Sequence, residues 1–386
     1  MRALRITSSF LAGLFLLAIF LLEVSGNDHL FKAVASTYLK GQTGPSIDEY
    51  KIFPYREVEA SEEIPIHYHA QYNALEADVE LMASIEKYEP IGLLILKDGD
   101  ILFEKYWEGY SEESRTNSFS VAKSIVGLSI GKCIELGLIK GLDQKVIDFI
   151  PELKGEYRSD LSIRNLMTMT SGMDFDESYG DPFGFMAKAY YGDELLKKTL
   201  SYHAAVKPGS EWKYLGGNSL LLSIIVERVS GQSLSDFVSV HFWKPLGASG
   251  PALWSLDEKG GLEKAYCCFY TNTHDFSRIG QLVLDSGRYV GKQVLNPNFV
   301  QALKEPVRLN DGEVIPYYGM QWWRVQHRSD DIVYARGILG QYIIVIPELN
   351  AVVVRLGRKR GEKDEHNQPS DIYHYIDLAY DLCEQL

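Results

Sequence analysis

The placement of β-prone runs near both ends of the chain restricts its fold more than any other feature of the sequence. Residues 91–96 and 101–107 are apolar runs that flank a polar, glycine-containing turn at 97–100, which is typical of an antiparallel hairpin. Four further β-prone runs, broken by turns, lie near the other end of the chain, at residues 320–325, 332–335, 341–346 and 351–356. The simplest packing is one antiparallel sheet built from both ends of the chain.

Helical patterning dominates the residues between these two groups of strands. Apolar residues recur at helical spacing over 125–136 and over 220–229, and Gly137 and Gly231 then end the two patterns. Helices are also predicted near the ends of the chain, over 75–88 and 372–386.

These patterns predict an α+β fold of two lobes. An antiparallel sheet flanked by helices is expected from residues 71–119 and 262–386, and an all-helical lobe, residues 120–261, is expected to be inserted in it. Clefts between lobes are favoured sites for ligands, so we look for chemistry where the two lobes meet.

The N-terminus has the layout of an export signal. Arg2 and Arg5 precede an uncharged apolar run over residues 10–22, and no polar face interrupts it. Residues 1–26 are therefore expected to be a cleaved signal peptide or a retained membrane anchor, and residues 27–70 a connecting arm. The enzyme domain is expected outside the cytoplasm, periplasmic or anchored to the membrane.

Composition excludes several classes of function. The net charge is −13 and no run of five basic residues occurs, so nucleic acid is not an expected partner. The four cysteines predict neither a disulfide framework nor a metal knuckle, because Cys267 and Cys268 are adjacent and the other two are isolated. His67 and His69 resemble half of a metal site, but no nearby carboxylate completes a ligand set. No metal and no organic cofactor are expected.

The leading candidate for chemistry is Ser120 with Lys123. A serine hydroxyl is a weak nucleophile and needs a base within hydrogen-bond reach, and residues three apart on a helix share one face. Ser129 and Lys132 repeat the same spacing, but they fall inside the predicted helix, whereas Ser120 lies at its start. Free backbone amides at a helix start suit a nucleophile whose own N–H helps to hold an oxyanion.

The alternative for Ser120 is that it only caps the helix, which serine commonly does. For catalysis Lys123 must also be neutral part of the time, and burial at a lobe junction favours the neutral amine. A second proton-relaying group would ease this demand, and Tyr214 is the candidate for that role.

Several motifs in fixed order carry a family resemblance. Ser120-x-x-Lys123, then residues 162–172 (SIRNLMTMTSG), then a Lys-Pro-Gly at 207–209 that leads to Tyr214, resemble the landmarks of class C β-lactamases and related esterases. The resemblance covers about residue 90 to the C-terminus. Residues 214–227, 321–323 and 337–341 look most similar to the 6-aminohexanoate-dimer hydrolase branch of the superfamily that includes the penicillin-binding proteins.

The resemblance implies a role for Tyr214, which opens the family's Y-x-N motif. Its side chain is expected to help take the serine proton and deliver it to the leaving group. The family asparagine falls on Gly216 in this chain, and Asn218 is the candidate to reach the same place as a substrate-binding group.

A third landmark, the family's K-T-G or H-x-G triplet, is occupied here by Ala335, Arg336 and Gly337. Gly337 lets substrate lie close to the backbone, and the N–H of Ile338 is then the expected second oxyanion donor. Arg336 could hold a substrate carboxylate in place of the missing lysine, although an edge-strand arginine more often faces solvent. Esterase or amidase activity is therefore expected before efficient β-lactamase activity.

These observations predict a serine hydrolase that cleaves an amide or ester bond of a small molecule or peptide through an acyl-enzyme on Ser120. Two alternatives stay open. One is a non-catalytic, envelope-located binding protein with a degenerate site, and the other is a D-amino-acid peptidase or transpeptidase that acts on cell-wall peptides.

Overall fold

The structure is a computed structural model that describes residues 19–386 together with residues 13, 16 and 17. The described helices, numbered here in chain order, are α1 His29–Ser36, α2 Val79–Glu86, α3 Val121–Glu135, α4 Ile163–Met167, α5 Phe185–Tyr191, α6 Leu195–Thr199, α7 Gly216–Ser230, α8 Leu234–Val238, α9 Thr273–Leu284, α10 Pro297–Lys304 and α11 Ile372–Cys383. A short 3-10 turn, Ile338–Gly340, follows one of the strands.

The strands form one large sheet and three small ones. They are β1 Tyr55–Val58, β2 Pro90–Lys97, β3 Asp100–Tyr106, β4 Thr116–Asn117, β5 Ala252–Ser255, β6 Phe269–Thr271, β7 Arg288–Tyr289, β8 Lys292–Gln293, β9 Val307–Arg308, β10 Val314–Ile315, β11 Trp323–His327, β12 Asp330–Gly337, β13 Gln341–Ile346 and β14 Ala351–Gly357. The large sheet has the order β11-β12-β13-β14-β2-β3, and every pairing in it is antiparallel.

This six-stranded sheet joins the two ends of the chain, as the sequence predicts. The hairpin β2–β3 pairs with β14 through a register that places Val353 opposite Ile95 and Val354 opposite Leu94. Both faces of the sheet are covered, because alternate residues of β2 belong to different apolar clusters. A strand buried on both faces is apolar throughout, which is why these segments read as unbroken apolar runs.

Helices of different origin cover the two faces of the large sheet. On one face α9 packs so closely that a Cβ at Gly280 would lie 2.4 Å from Val352 Cγ1 and 2.9 Å from Ile343 Cγ2. On the other face α11 packs with α2, and both contribute to the apolar cluster that contains Leu93 and Ile95.

The lobe inserted in the sheet is mainly helical, and α3 is its central element. Residues Val121–Cys133 of this helix are all buried, on every face, because α3 lies between the sheet and the other helices of the lobe. It packs on α7 and, on another side, on β12 of the large sheet. The start of α3 therefore lies at the junction of the two lobes.

A second sheet, of order β1-β5-β6-β4, lies beside this junction. Its strand β1 comes from the segment predicted to be a connecting arm, and β5 comes from the end of the segment predicted to be helical. The α+β prediction of an antiparallel sheet, flanking helices and an inserted helical lobe is confirmed. The sequence did not show that the small sheet connects the arm to the lobe.

The apolar run predicted to be a signal or anchor lies largely outside the described residues, so its assignment stays a prediction. Within the part of the chain that the structure describes, no helix has both the length and the apolar character needed to cross a bilayer.

Candidate active site

A tight turn places Ser120 at the start of α3. Strand β4 ends at Asn117, and Phe119 then takes a left-handed conformation with φ of +46°, which is unfavourable for a bulky residue. The side-chain oxygen of Asn117 accepts hydrogen bonds from the N–H of Phe119 at 2.9 Å and of Cys268 at 3.1 Å. The fold thus maintains a strained backbone directly before Ser120.

Ser120 and Lys123 meet as their spacing predicts. The Nζ of Lys123 donates to the Oγ of Ser120 at 2.9 Å, and the lysine side chain is almost completely buried, with 1% of the residue exposed. Nζ also donates to the carbonyl oxygen of Tyr266 at 2.9 Å. The amine is therefore held between the hydroxyl and a fixed backbone acceptor.

The competing pair at Ser129 and Lys132 is structural. The Oγ of Ser129 donates to the carbonyl of Ile125 at 3.0 Å within the helix, and Lys132 pairs with Glu135 at 2.6 Å. These two side chains do not meet each other, and Ser129 is fully buried.

The carbonyl that holds Lys123 belongs to a segment closed by a disulfide between two neighbouring residues. Cys267 and Cys268, directly after Tyr266, are joined to each other. This single local bond is not a disulfide framework, and the cysteine spacing did not predict it. Cys133 and Cys383 are free thiols, and burial raises the pKa of Cys133 to about 12.

Tyr214 reaches the same place from distant sequence. Its ring centroid lies 5.0 Å from the Nζ of Lys123, and the side chain lines a cavity with Ser120. The ring packs at 5.1 Å from that of Trp323 and at 6.0 Å from that of Tyr318. These aromatic contacts hold the Tyr214 ring at the wall of the cavity that Ser120 also lines.

The end of β12 comes very close to the turn before Ser120. A Cβ at Gly337 would lie 2.3 Å from the carbonyl oxygen of Ser118, so only glycine permits this approach. The next residue, Ile338, opens the 3-10 turn and lines the cavity beside Ser120. Among the described residues, neither the Ser120 nor the Ile338 N–H donates to a backbone carbonyl of a turn, loop or cap.

Arg336 lines the same cavity, but it is not a solvent-facing residue of an edge strand. Strand β12 is second from the edge of the sheet, and 5% of Arg336 is exposed. Its guanidinium stacks on the ring of Trp323, 3.2 Å from the centroid, and donates to the carbonyl oxygen of Asn367 at 2.6 Å. The arginine is thus held rigidly at the cavity wall.

Asn218 does not reach the cavity, contrary to the expectation from the family motif. It is fully buried on α7, where its Oδ1 accepts from the Oγ of Ser171 at 2.8 Å and its Nδ2 donates to the Sδ of Met169 at 3.3 Å. Two residues beyond Gly216 the helix has turned, so the side chain points into the helical lobe. The structure gives Asn218 a packing role.

Two adjoining cavities open at Ser120. The first has a volume of about 260 Å³ and a mixed lining of charged, polar and apolar groups, formed by Ser120, Glu177, Tyr179, Tyr214, Trp323, Arg336, Gly337, Ile338, Arg360, Lys363 and Asn367. The second has a volume of about 390 Å³ and is mainly apolar, lined by Pro45, Phe119, Ser120, Tyr179, Met186, Ala187, Tyr190, Tyr191, Tyr266, Cys267, Ile338, Arg360 and Lys363. The nucleophile candidate therefore lies between a cavity that carries several charged side chains and a cavity that is mainly apolar and aromatic.

Several charged residues of this site could not be found from the sequence. Glu177 follows a series of loop aspartates that carry no distinguishing pattern, and Arg360 and Lys363 lie in the segment after β14. Burial, together with the charges of Arg336 and Arg360, lowers the pKa of Lys363 to about 8. The sequence offered one indication that another residue completes the site: Gly216 leaves the position of the family asparagine without a side chain.

A larger cavity, of about 720 Å³, lies away from Ser120 and contains His274 and Glu112. Ligand atoms of Glu104, Glu112 and His274 lie within 4.8 Å of one another. However, the two oxygens of Glu104 already accept hydrogen bonds from Tyr72 at 2.6 Å and Tyr106 at 2.9 Å, and His274 contacts one of them. Glu104 and His274 therefore belong to a hydrogen-bond network with two tyrosines, Glu112 is exposed beside it, and we do not assign the group as a metal centre.

The architecture and the site together define a class: a serine and a lysine one helical turn apart, at the start of a buried helix beside an antiparallel sheet, as in β-lactamase-type and transpeptidase-type proteins. The chain belongs to the Beta-lactamase family, whose model matches residues 86–374.

Relatives within this family are hydrolases of several kinds. The chain is 26% identical over 281 residues to the 6-aminohexanoate-dimer hydrolase of Paenarthrobacter ureafaciens, covering 68% of this chain and 71% of that protein. Its fold is similar to that of a protein from Bacillus anthracis provisionally named a 6-aminohexanoate-dimer hydrolase, with a TM-score of 0.72, 21% identity and coverage of 88% and 94% of the two chains. It is also similar to a D-stereospecific amidohydrolase from Streptomyces, with a TM-score of 0.58, 15% identity and coverage of 78% and 98%.

Proposed function

We propose that this protein is a serine hydrolase that cleaves an amide or ester bond through an acyl-enzyme on Ser120. The observation that carries the proposal is the 2.9 Å hydrogen bond from a buried Lys123 amine to the Ser120 hydroxyl. A serine with a base in reach, itself oriented by a third group, is the arrangement of an activated nucleophile. Here the third group is the carbonyl of Tyr266.

In the proposed reaction the Oγ of Ser120 attacks the substrate carbonyl while Lys123 accepts the hydroxyl proton. The carbon–oxygen bond to the serine forms, the bond to the leaving group breaks, and Tyr214 passes the proton to the departing nitrogen or oxygen. Water then attacks the ester of Ser120, and the same groups return the proton to the serine.

The negative charge that develops on the substrate oxygen needs donors that are already in place. The N–H groups of Ser120 and Ile338 supply them, because the contact of Gly337 with Ser118 holds the end of β12 against the turn before Ser120. Fixed backbone donors of this kind usually contribute the largest single part of such catalysis.

The two cavities support an amide or ester with an apolar acyl group. Tyr190, Tyr191 and Met186 give the 390 Å³ cavity an aromatic, apolar lining that suits a hydrocarbon or aromatic acyl chain. Arg336 is already stacked on Trp323 and bonded to a carbonyl, so it is a poor substitute for a flexible lysine that binds a β-lactam carboxylate. Activity on linear amides and esters is expected to exceed activity on β-lactams.

Covalent labelling tests the proposal. Intact-mass spectrometry after treatment with a fluorophosphonate or an activated p-nitrophenyl ester is expected to show one adduct, located by peptide mapping on Ser120. Ser120→Ala is expected to abolish both the adduct and hydrolysis, whereas Ser129→Ala, which alters the second Ser-x-x-Lys pair, is expected to keep both. Folded wild-type protein that forms no adduct on Ser120 would contradict the proposal.

We also propose that the protein works outside the cytoplasm. The charged residues before the apolar run support export, and the disulfide between Cys267 and Cys268 is of a kind that persists in oxidising compartments. Cell fractionation, with thiol alkylation before lysis, is expected to find the protein in the envelope with these two cysteines oxidised; a cytoplasmic, fully alkylated protein would refute this.

A further inference from the structure

The arm that precedes the family's matched region forms part of the mainly apolar cavity at Ser120. The family model begins to match at residue 86, and the arm segment 45–53 lies well before it. Pro45 nevertheless lines the cavity of about 390 Å³, together with Tyr190 and Tyr191 of α5. One part of the cavity wall is therefore built from sequence outside the family match.

Two buried residues of the same arm segment support the aromatic part of this wall. The hydroxyl of Tyr190 donates to the Oε2 of Glu49 at 3.0 Å, and 4% of Glu49 is exposed. The ring of Phe53 packs edge-on against that of Tyr190, with the centroids 5.4 Å apart, and lies 6.2 Å from that of Tyr191. Phe53 is buried and does not line the cavity, so it stands behind the two tyrosines.

A buried lysine joins Phe53 and Tyr190 to the segment that carries the Tyr266 carbonyl. The Nζ of Lys264 lies 3.2 Å from the centroid of the Phe53 ring and donates to the carbonyl oxygen of Tyr190. Lys264 is fully buried, and Tyr266, two residues later, also lines the cavity. In an interior this closely packed, the Tyr190 ring moves back from the cavity only if Phe53 makes room.

The arm segment also makes a contact that concerns Ser120 rather than the cavity. The N–H of Asn117 donates to the carbonyl oxygen of Ile47 at 2.8 Å, and Asn117 holds the turn before Ser120. Deletion of the segment would therefore disturb the nucleophile and the cavity together. Substitution of single side chains separates the two effects.

We propose that the arm segment 45–53 determines which acyl groups this hydrolase accepts. Pro45 forms part of the wall itself, and Glu49 and Phe53 are positioning residues that hold the tyrosines of α5 in place. The cavity volume of about 390 Å³ equals that of roughly a dozen water molecules, so an apolar acyl chain of medium length or an arylalkanoyl group fills it. This inference rests on the proposed function, because it assigns the acyl specificity of the same site.

Pro45→Trp tests the direct contact. The larger side chain takes up part of the cavity, so the ratio of kcat/KM for p-nitrophenyl octanoate to that for p-nitrophenyl acetate is expected to fall by roughly 10-fold or more, because a single misfitting methylene in an apolar pocket already changes specificity by that amount. Pro65→Trp is the matched control, since Pro65 belongs to the same arm but lines the 720 Å³ cavity away from Ser120. The control is expected to keep the wild-type ratio.

Phe53→Leu tests the indirect support. The smaller side chain leaves space behind Tyr190 and Tyr191, so the preference is expected to move from p-nitrophenyl octanoate toward the bulkier 4-phenylbutanoate. Glu49→Leu removes the acceptor of the Tyr190 hydroxyl and is expected to shift the preference in the same direction. Glu49→Gln keeps an acceptor there and is expected to restore the wild-type preference, which a loss of stability alone would not explain.

A second series of esters determines which half of the substrate occupies the cavity. Acetate esters of p-nitrophenol and of 4-methylumbelliferone share one acyl group and differ in the leaving group. Pro45→Trp is expected to lower kcat/KM for these two esters by the same factor. If it discriminates between the leaving groups but not between acyl chains, the cavity holds the leaving group and this inference is wrong.

All variants are compared after circular dichroism has shown them to be folded. If wild-type Ser120 forms its adduct but Pro45→Trp and Phe53→Leu both keep the wild-type acyl preference, this inference is overturned while the proposed function stands. A folded wild type that forms no adduct and hydrolyses none of the esters would instead refute the proposed function.

Discussion

Replacing Gly337 with alanine separates the two parts of the site that are expected to hold the substrate oxygen. The added Cβ would lie 2.3 Å from the carbonyl oxygen of Ser118. Carbon and oxygen atoms in close contact are normally about 3.3 Å apart, so the end of β12 must move by about 1 Å away from the turn before Ser120. Ile338 moves with it.

This displacement should reduce the catalytic rate strongly and the free energy of unfolding only moderately. A misplacement of about 1 Å can reduce a rate about 100-fold, and loss of one oxyanion donor costs about 100- to 1,000-fold in kcat. We therefore expect kcat/KM of Gly337→Ala for a p-nitrophenyl ester to fall about 100-fold, mainly in kcat. Overpacking of this kind costs about 1–3 kcal/mol in the free energy of unfolding.

Gly280→Ala is a matched control, because it introduces a comparable overlap far from Ser120. Its Cβ would lie 2.4 Å from Val352 Cγ1, between α9 and the large sheet. We expect both variants to show lowered midpoints of thermal unfolding, whereas only Gly337→Ala loses the bulk of its esterase activity. If Gly337→Ala hydrolyses the ester as well as Gly280→Ala does, the close approach at Ser118 does not position the Ile338 donor.

Three further predictions concern other parts of the molecule. Asn218→Ala should lower the free energy of unfolding by about 1–3 kcal/mol without changing KM, because it leaves the Ser171 hydroxyl without its buried partner. A changed KM with an unchanged free energy of unfolding would show instead that Asn218 binds substrate. The double variant Cys267→Ser/Cys268→Ser should hydrolyse esters more slowly than the wild type, since the carbonyl of Tyr266 that orients Lys123 is then less firmly placed; equal rates would count against this. Burial, with the charge of Glu263, raises the pKa of Glu227 to about 7, so its contribution to stability is fully present below about pH 4.5 and is lost as the pH rises through 7. Glu227→Gln should therefore raise the melting temperature at pH 8 relative to the wild type, and a lower value there would contradict the assignment.

Much of the fold could be predicted from the sequence because the central strands are apolar on both faces. Segments such as 341–346 read as strands from their own composition, and β13 has the same bounds in the structure. The small sheet could not be predicted in this way, because β4 has two residues and β6 has three, too few to show a period. Its pairing is decided by contacts distant in sequence.

The residues of the site likewise differ in how far they could be predicted from local sequence. Ser120 and Lys123 are close in sequence, and a helical turn brings them together without help from the rest of the chain. Tyr214 is distant from Ser120 and Lys123 in sequence, so no local pattern indicated that it lies near them. It could be predicted only from the family motif. Glu177 and the carbonyl of Tyr266 could not be found: a backbone oxygen has no residue-type signature, and a glutamate in an acidic loop resembles its neighbours until the fold shows what it faces.

The bond between Cys267 and Cys268 has an unusual thermodynamic consequence. Cross-links stabilise proteins mainly by shortening the loops available to the unfolded chain, and two consecutive residues enclose no loop. Breaking this bond should therefore leave the free energy of unfolding almost unchanged. It should loosen only the short segment that contains the Tyr266 carbonyl, to which the Lys123 amine donates. Reduction of the Cys267–Cys268 pair should therefore change the rate of hydrolysis, whereas the unfolding transition measured by calorimetry should hardly move.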